Sequence, residues 1–297
     1  MQAIMDATAD TDLYVQLHPR LFAIAYRMLG SRADAEDVLQ DAWLRWHQAD
    51  RSALQSAEAW LLTVTTRLAI DRLRDAKTER EAYVGFWLPE PLVEMPDLET
   101  PERIAERADE LSVALLWVME RLAPLERAAY LLREVFDYDY SEVASLLDRS
   151  EAACRQLVHR ATGRVQRETP RFEVPQDAHR QLLARFVAAA NAGQRDALQA
   201  MLAENAQLMS DGGGKVPSFG KILAGAARIA NLYWATHRRL GEEAVYRLAR
   251  INGEWGLLRY LEGQLESAQA FVTDGERIVH IYVVRNPDKL AGVPQRI

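Results

Sequence analysis

The segment that most constrains the fold runs from Asp139 to Val165, where two helical periods meet across a three-residue break. Tyr140, Val143, Ala144 and Leu147 recur at helical spacing, Asp148-Arg149-Ser150 interrupts, and Cys154, Leu157, Val158, Ala161 and Val165 resume the period. Asp139 with Glu142 reads as a capping box, and Ser150 as the N-cap of the second helix. Asp148 falls where the turn needs a left-handed residue, a region Asp tolerates. Away from the apolar stripe, the second helix turns Ala152, Gln156, His159 and Gly163 outward, flanked by Arg155 and Arg160. The pattern predicts a helix-turn-helix whose second helix offers a polar, cationic face to a major groove. The plainer alternative is a helical hairpin with a solvated face. Thr162-Gly163 predicts fraying of the last turn.

A chain of 297 residues holds two or three domains. Its formal charge of −7 speaks against a general nucleic-acid binder, because phosphate neutralisation favours a basic surface. The charge is unevenly spread. Residues 88 to 110 carry eight acids and two arginines, whereas 149 to 171 carry six arginines and two glutamates. A chain that meets DNA only within a larger complex tolerates that balance. The single cysteine, Cys154, on a buried helix side, excludes a disulfide framework and a cysteine-based metal site. No metal or cofactor is expected. No apolar run reaches membrane-spanning length and the N-terminus lacks leader character, so the expected location is the cytoplasm, without a membrane partner.

Upstream, the periodicity predicts a helix from Asp12 to Leu29 stopped by Gly30, and a second from Ala33 to Gln48. The second separates Ala35, Leu39, Ala42, Trp43 and Trp46 from Asp34, Asp37, Gln40, Asp41, Leu44 and Gln48. Three aspartates on one face with no lysine beside them suit either solvent or a basic partner. A long helix from Glu58 to Arg80 aligns Trp60, Thr63, Arg67, Asp71 and Arg74, an aromatic and cationic side fit for single-stranded nucleic acid, or a core tryptophan beside surface arginines. The proline-rich, acidic stretch 83 to 101 is a linker, yet Phe86, Trp87 and Leu88 are too apolar for a solvated tether and predict docking. Further helices are expected from Pro101 to Leu122 and from Leu125 to Val135.

Beyond Pro170 and Pro175 the pattern changes. Helices are expected from Gln176 to Ala192, Asp196 to Ala203 and Ile222 to Arg239, with a strand from Ala206 to Ser210 and a flexible turn at 211 to 215. Alternating runs follow at Ala244 to Ile251, Trp255 to Leu261, Leu265 to Thr273 and Arg277 to Arg285, with hairpin signals at Asn252-Gly253 and Asp274-Gly275. This order predicts an α+β domain with a curved antiparallel sheet.

The stretches SRADAEDVLQDAWLRW (31 to 46), AEAWLLTVTTRLAIDRLR (57 to 74) and LAPLERAAYLLREVFDYDYSEVASLLDRSEAACRQLVHRA (122 to 161) together resemble an extracytoplasmic-function (ECF) sigma factor, the promoter-specificity subunit of bacterial RNA polymerase. The resemblance implies that Asp34, Asp37, Gln40 and Asp41 grip the clamp helices of core polymerase. It implies that the helix carrying Trp60, Thr63, Arg67, Asp71 and Arg74 opens and reads the −10 strand. It further implies that Arg149, Ser150, Arg155, Gln156, His159 and Arg160 read the −35 duplex. The C-terminal part resembles a SnoaL-like cone. WLPEP (87 to 91), DGGGK (211 to 215) and NPDKL (286 to 290) resemble the signatures of sigma factors with such an extension, thought to regulate them in place of an anti-sigma protein. Trp87, Leu88, Pro89, Glu90, Pro91, Asp211, Gly212, Gly213, Gly214, Lys215, Asn286, Pro287, Asp288, Lys289 and Leu290 are then regulatory interdomain residues.

The expected architecture is a mainly α N-terminal two-thirds plus a C-terminal α+β cone. The segments are 1–82 (sigma region 2), 83–105 (linker), 106–170 (sigma region 4) and 171–297 (SnoaL-like). DGGGK lacks Walker spacing, and His237 and His280 stand alone in the sequence without an acid–base partner, so no catalysis is expected. The expected partners are core polymerase and promoter DNA, with a small ligand conceivable in the cone. A helix-turn-helix regulator with a SnoaL-like sensor remains the alternative, and a SnoaL-like enzyme with a helical appendage a further one.

Overall fold

The computed structural model describes residues 2–50, 54, 56–94, 111–168 and 174–296, which fall into two compact units. The first comprises Met1–Glu81 and Met119–Arg167, the second Ala82–Val118 and Glu168–Ile297. The boundary expected at 105/106 lies outside the described residues. The docked part of the expected linker groups with the C-terminal unit.

In the first unit, α1 (Gln2–Leu29), α2 (Arg32–Gln48) and α3 (Ala57–Glu81) pack on one another. α1 begins ten residues before the expected Asp12 and ends where Gly30 turns left-handed (φ 66°). Ser31 caps α2, its hydroxyl accepting from Asp34 N at 3.2 Å. Leu21, Ile24, Met28, Leu39, Trp46 and Leu61 are fully buried. α5 (Pro124–Tyr130) runs into a π-helical turn (Leu131–Val135), followed by α6 (Tyr140–Leu147) and α7 (Glu151–Glu168). Between the linker and α5, the helix expected over 101–122 is present as α4 (Val113–Met119), with 101–110 outside the described residues.

Two guanidiniums finish α1. Its last carbonyls lack intrahelical donors and sit at the negative end of the helix dipole. Arg127, only 2 % exposed, donates to Met28 O at 2.5 Å and Met119 O at 2.9 Å. Arg80 donates to Leu29 O at 2.8 Å, and Glu120 pairs with both arginines. The cluster ties α3 and α5 to the end of α1.

The second unit holds β1 (Val93–Glu94), α8 (Gln176–Asn191), α9 (Arg195–Ala200), β2 (Leu202–Asp211), β3 (Leu223–Ala224), α10 (Ala226–Leu240), β4 (Ala244–Ile251), β5 (Glu254–Leu261), β6 (Gln264–Thr273), β7 (Ile278–Val284) and α11 (Pro287–Leu290). The sheet order is β1-β4-β5-β6-β7-β2-β3, antiparallel except for the parallel β2–β7 pair. Register shifts in β5–β6, β6–β7 and β2–β7 supply its curvature. The helix expected from Ile222 starts at Ala226, because Leu223 and Ala224 first pair with Leu208 and Gln207. Asn252-Gly253 turns with φ 51° and 72° as expected, and Glu262-Gly263 makes the same turn with φ 51° and 75°.

Both faces of this sheet are buried. Phe186, Tyr233, Tyr246, Leu257, Phe271 and Ile281 form one core with α8 and α10. Met209, Leu258, Tyr260, Tyr282 and Val284 form the other, and it is covered by Leu88, Val113, Ala114, Leu290 and Val293. The linker and tail are apolar because they serve as that layer.

Glu254 opens β5, and burial raises its carboxyl from the ordinary 4.5 to about 7. The folded state then binds more protons than the unfolded between those values, so this group lowers stability as pH rises through the window. Glu254→Gln is expected to raise the melting temperature above pH 8, by up to about 3 kcal/mol of stability, with the gap closing below pH ~5. Paired thermal melts across pH check this.

Candidate functional site

The helix-turn-helix is built as its local signals dictate. Asp139 N donates to Glu142 Oε2 at 2.8 Å, Asp148 is left-handed (φ 53°), and Ala153 N donates to Ser150 Oγ at 3.2 Å. Cys154, Val158, Ala161 and Val165 are buried, which forces Arg155, Gln156, His159 and Arg160 outward. Tyr140 joins those four around a shallow groove. It is half-buried, with Arg133 and Arg155 packed on its ring at 5.2 and 4.8 Å. α7 continues through Thr162 and Gly163 to Glu168, so the expected fraying does not occur. Arg155 pairs with Glu151 and Arg160 with Glu126, both at 2.8 Å, while Arg149 donates to Asp148 O. Surface pairs of this kind are worth under ~1 kcal/mol each and exchange readily for phosphate.

On α2, Asp37, Gln40, Asp41 and Leu44 are exposed together, and Leu44 is 51 % accessible. Asp34 differs. Arg72 of α3 holds its carboxylate with two bonds (2.9 and 2.6 Å), an anchoring arginine that the α2 pattern could not reveal. Only the other two aspartates of the trio stand free of that pair.

Along α3, Arg67, Asp71 and Arg74 are exposed, with Arg74 bonded to Asp71 at 2.8 Å. Thr63 is half-buried and turns its hydroxyl back to Ala59 O. Trp60 is half-buried against Trp46, ring centroids 5.5 Å apart. The α3 surface is therefore cationic at its middle and aromatic at its start.

The third set of residues converges within the C-terminal unit. Asp211, at the end of β2, is fully buried. Its carboxylate accepts from Tyr83 Oη (2.6 Å), Gly213 N (3.0 Å), Leu88 N (2.9 Å) and Lys289 Nζ (2.8 Å). Lys289 also donates to Leu88 O (2.5 Å) and stands 3.6 Å above the Trp87 ring. Asn286 donates to Tyr83 Oη (2.9 Å) and caps α11 by accepting from Asp288 N. Burial, then the Asp211 contact, pushes the Tyr83 hydroxyl well above its ordinary range. Gly213 (φ 60°) lies so close to Asn286 that a Cβ would meet Nδ2 at 2.4 Å. Gly212 and Gly214 complete the turn, Lys215 bridges to Asp288 at 2.6 Å, and Leu88, Pro89, Glu90 and Pro91 are buried. Pro287 starts α11 and Leu290 enters the second core. Far from being a flexible turn, DGGGK is a cradle closed by the other two motifs.

The sigma-70 region 2 family matches residues 13–79 and the sigma-70 region 4 family residues 112–164. The chain is 35 % identical over 289 residues to the ECF RNA polymerase sigma factor SigJ of Mycobacterium tuberculosis, covering 94 % of this chain and 92 % of that one. It is 27 % identical over 274 residues to the probable ECF RNA polymerase sigma factor SigI of the same species, 91 % of each chain. The crystal structure of SigJ superposes with a TM-score of 0.77 at 32 % identity, over 96 % of this chain and 99 % of that one.

Removing either partner of the Asp211–Lys289 pair leaves a buried charge uncompensated. Asp211→Asn and Lys289→Met are each expected to cost roughly 3–5 kcal/mol, and the double variant less than their sum. Urea unfolding followed by circular dichroism measures the cycle.

Proposed function

The chain belongs to the ECF sigma factors of RNA polymerase, and from that premise we propose which of its surfaces meet polymerase, promoter and regulator. The family binds core polymerase and the −35 and −10 promoter elements, directs transcription initiation and is not enzymatic. The observation that carries the assignment is the exposed face of α7, where Arg155, Gln156, His159 and Arg160 stand together beside Tyr140, with Arg149 exposed in the turn before the helix. Gln156 supplies a bidentate amide for a base edge, and the arginines supply phosphate or guanine contacts. Ser150 serves best as the cap that sets the helix angle.

Asp37, Gln40 and Asp41 form the docking face for core polymerase. Leu44 supports this, since an exposed leucine within an acidic patch suits a protein partner with apolar and basic groups. Asp34 contributes by orienting α2 on α3 through Arg72. Arg67 and Arg74 track the −10 strand, with Trp60 and Thr63 at its edge and Asp71 orienting Arg74. The place of action is the cytoplasm, where polymerase meets the chromosome, and the C-terminal unit does no chemistry.

We further assign that unit a regulatory role in cis. Residues 83–105 connect the two sigma regions in sequence, and their described part, 83–94, is fixed on the C-terminal unit by the Asp211–Lys289 pair and the second core. Loosening the pair frees the chain between the regions.

Asp37→Arg is expected to weaken capture by purified core polymerase roughly tenfold or more while leaving the circular dichroism spectrum unchanged. Normal capture would remove the docking assignment. In run-off transcription with the same polymerase, Lys289→Met is expected to change promoter output several-fold. Identical output from a folded variant ends the regulatory one.

A further inference from the structure

We propose that the cavity beneath α10 in the C-terminal unit is a binding site for a small apolar monocarboxylate. The space, about 200 Å³, lies between the sheet and the loop after the glycine turn. It is smaller than the ~300–1,000 Å³ of pockets that take drug-sized ligands, so a single-ring or short branched acid fits and a nucleotide does not.

Its walls are of two kinds. Leu208, Leu232, Phe219 and Val283 are apolar, and Arg259 and Arg285 stand on one side. Both arginines share one carboxylate. Arg259 Nε donates to Glu266 Oε2 at 2.7 Å and Arg285 Nε to Oε1 at 2.5 Å. Glu266 does not line the cavity, and neither does any other acid among the described residues. Two cations against one anion leave a surplus positive charge facing the space, with side-chain exposures of only 15 % and 25 %. A surplus charge in such a place is costly unless an anion joins it.

The remaining polar groups argue for an otherwise apolar ligand. The Tyr233 hydroxyl donates to Gln269 Oε1 at 2.6 Å, and Gln269 Nε2 donates to Ser267 Oγ at 3.1 Å. Thr236 Oγ1 donates to Leu232 O at 2.9 Å. These groups already have partners, whereas the hydroxyl of Tyr246, another lining residue, is buried without a hydrogen-bond partner among the described residues and is left as one further donor for an anion held by the arginines. A carboxylate on an apolar body would complete the charge balance and fill the rest by burial.

The cavity also adjoins the motif cluster. Ser210 and Arg285 line it, and they are the chain neighbours of Asp211 and Asn286. Arg285 additionally donates to Pro217 O, at the cavity's rim, and through its backbone to Asp211 O at 2.7 Å. Binding itself is independent of the regulatory assignment above and is measured without polymerase.

Titration calorimetry on the full-length chain with benzoate, benzamide and inorganic sulfate tests the site. Benzoate is expected to bind with a Kd below about 1 mM, and benzamide and sulfate roughly tenfold or more weaker. Arg285→Gln should weaken benzoate by about tenfold. Leu232→Trp, which fills the cavity and leaves the charges in place, should abolish binding and covers the case in which the arginine variant does not fold. Absence of benzoate binding overturns the proposal. So do equal affinities for benzamide, which removes the anion requirement, or for sulfate, which removes the apolar one. Benzoate binding that survives Leu232→Trp places the site elsewhere and overturns it equally.

Discussion

A single buried ion pair organises the C-terminal unit. Asp211 has no exposed surface, yet four donors converge on its two oxygens, one of them an ammonium 7 % exposed. Burying both charges is tolerable because each is hydrogen-bonded beyond its partner, and the lysine adds the face of Trp87. The donors come from the linker (Tyr83, Leu88), the glycine turn (Gly213) and the tail (Lys289). None of these stretches has much regular structure of its own, so the pair gives them a common place. The apolar residues beside them then complete the second core.

The N-terminal unit distributes charge differently. Arg127 is buried, Arg80 and the largely covered Glu120 lie against it, and the two arginines finish the carbonyl end of α1. The charges assigned to polymerase and DNA are exposed and are either unengaged by one another or held in weak surface pairs. Burial thus separates the charges that build the fold from those free to change partner. Asp34 shows the division within one helix face: Arg72 claims it for structure, whereas Asp37 and Asp41 face solvent.

How much was legible follows from how local each determinant is. The helix-turn-helix was readable because its cap, its left-handed Asp148 and its apolar period all lie within one short segment. Asn252-Gly253 announced its hairpin, whereas Glu262-Gly263 did not, since glutamate is no turn former and adopts φ 51° under the pull of the flanking ladder. Tyr140 matched the apolar period but lies between two arginines, which periodicity cannot see. Gly163 weakened the helix on propensity alone, and the buried Ala161 and Val165 around it outweigh that. The apolar Phe86-Trp87-Leu88 did signal docking. Its destination stayed hidden, because Lys289 and Leu88 are 201 positions apart. Resemblance grouped the three motifs; only the fold showed that they share one carboxylate. The parallel β2–β7 pair was equally invisible, for it joins the first and last long strands.

The sheet's margins carry one more consequence. Each outer long strand is flanked by a two-residue strand, Val93–Glu94 along β4 and Leu223–Ala224 along β2. The first of these comes from the linker, along with Leu88 on the sheet's second face. A C-terminal domain cut away from that segment would present open backbone amides and carbonyls beside uncovered leucine and tyrosine, the conditions for edge-to-edge aggregation. Its solubility is thus borrowed from the sequence lying between the two sigma regions, which makes this extension a poor candidate for life as a free-standing protein.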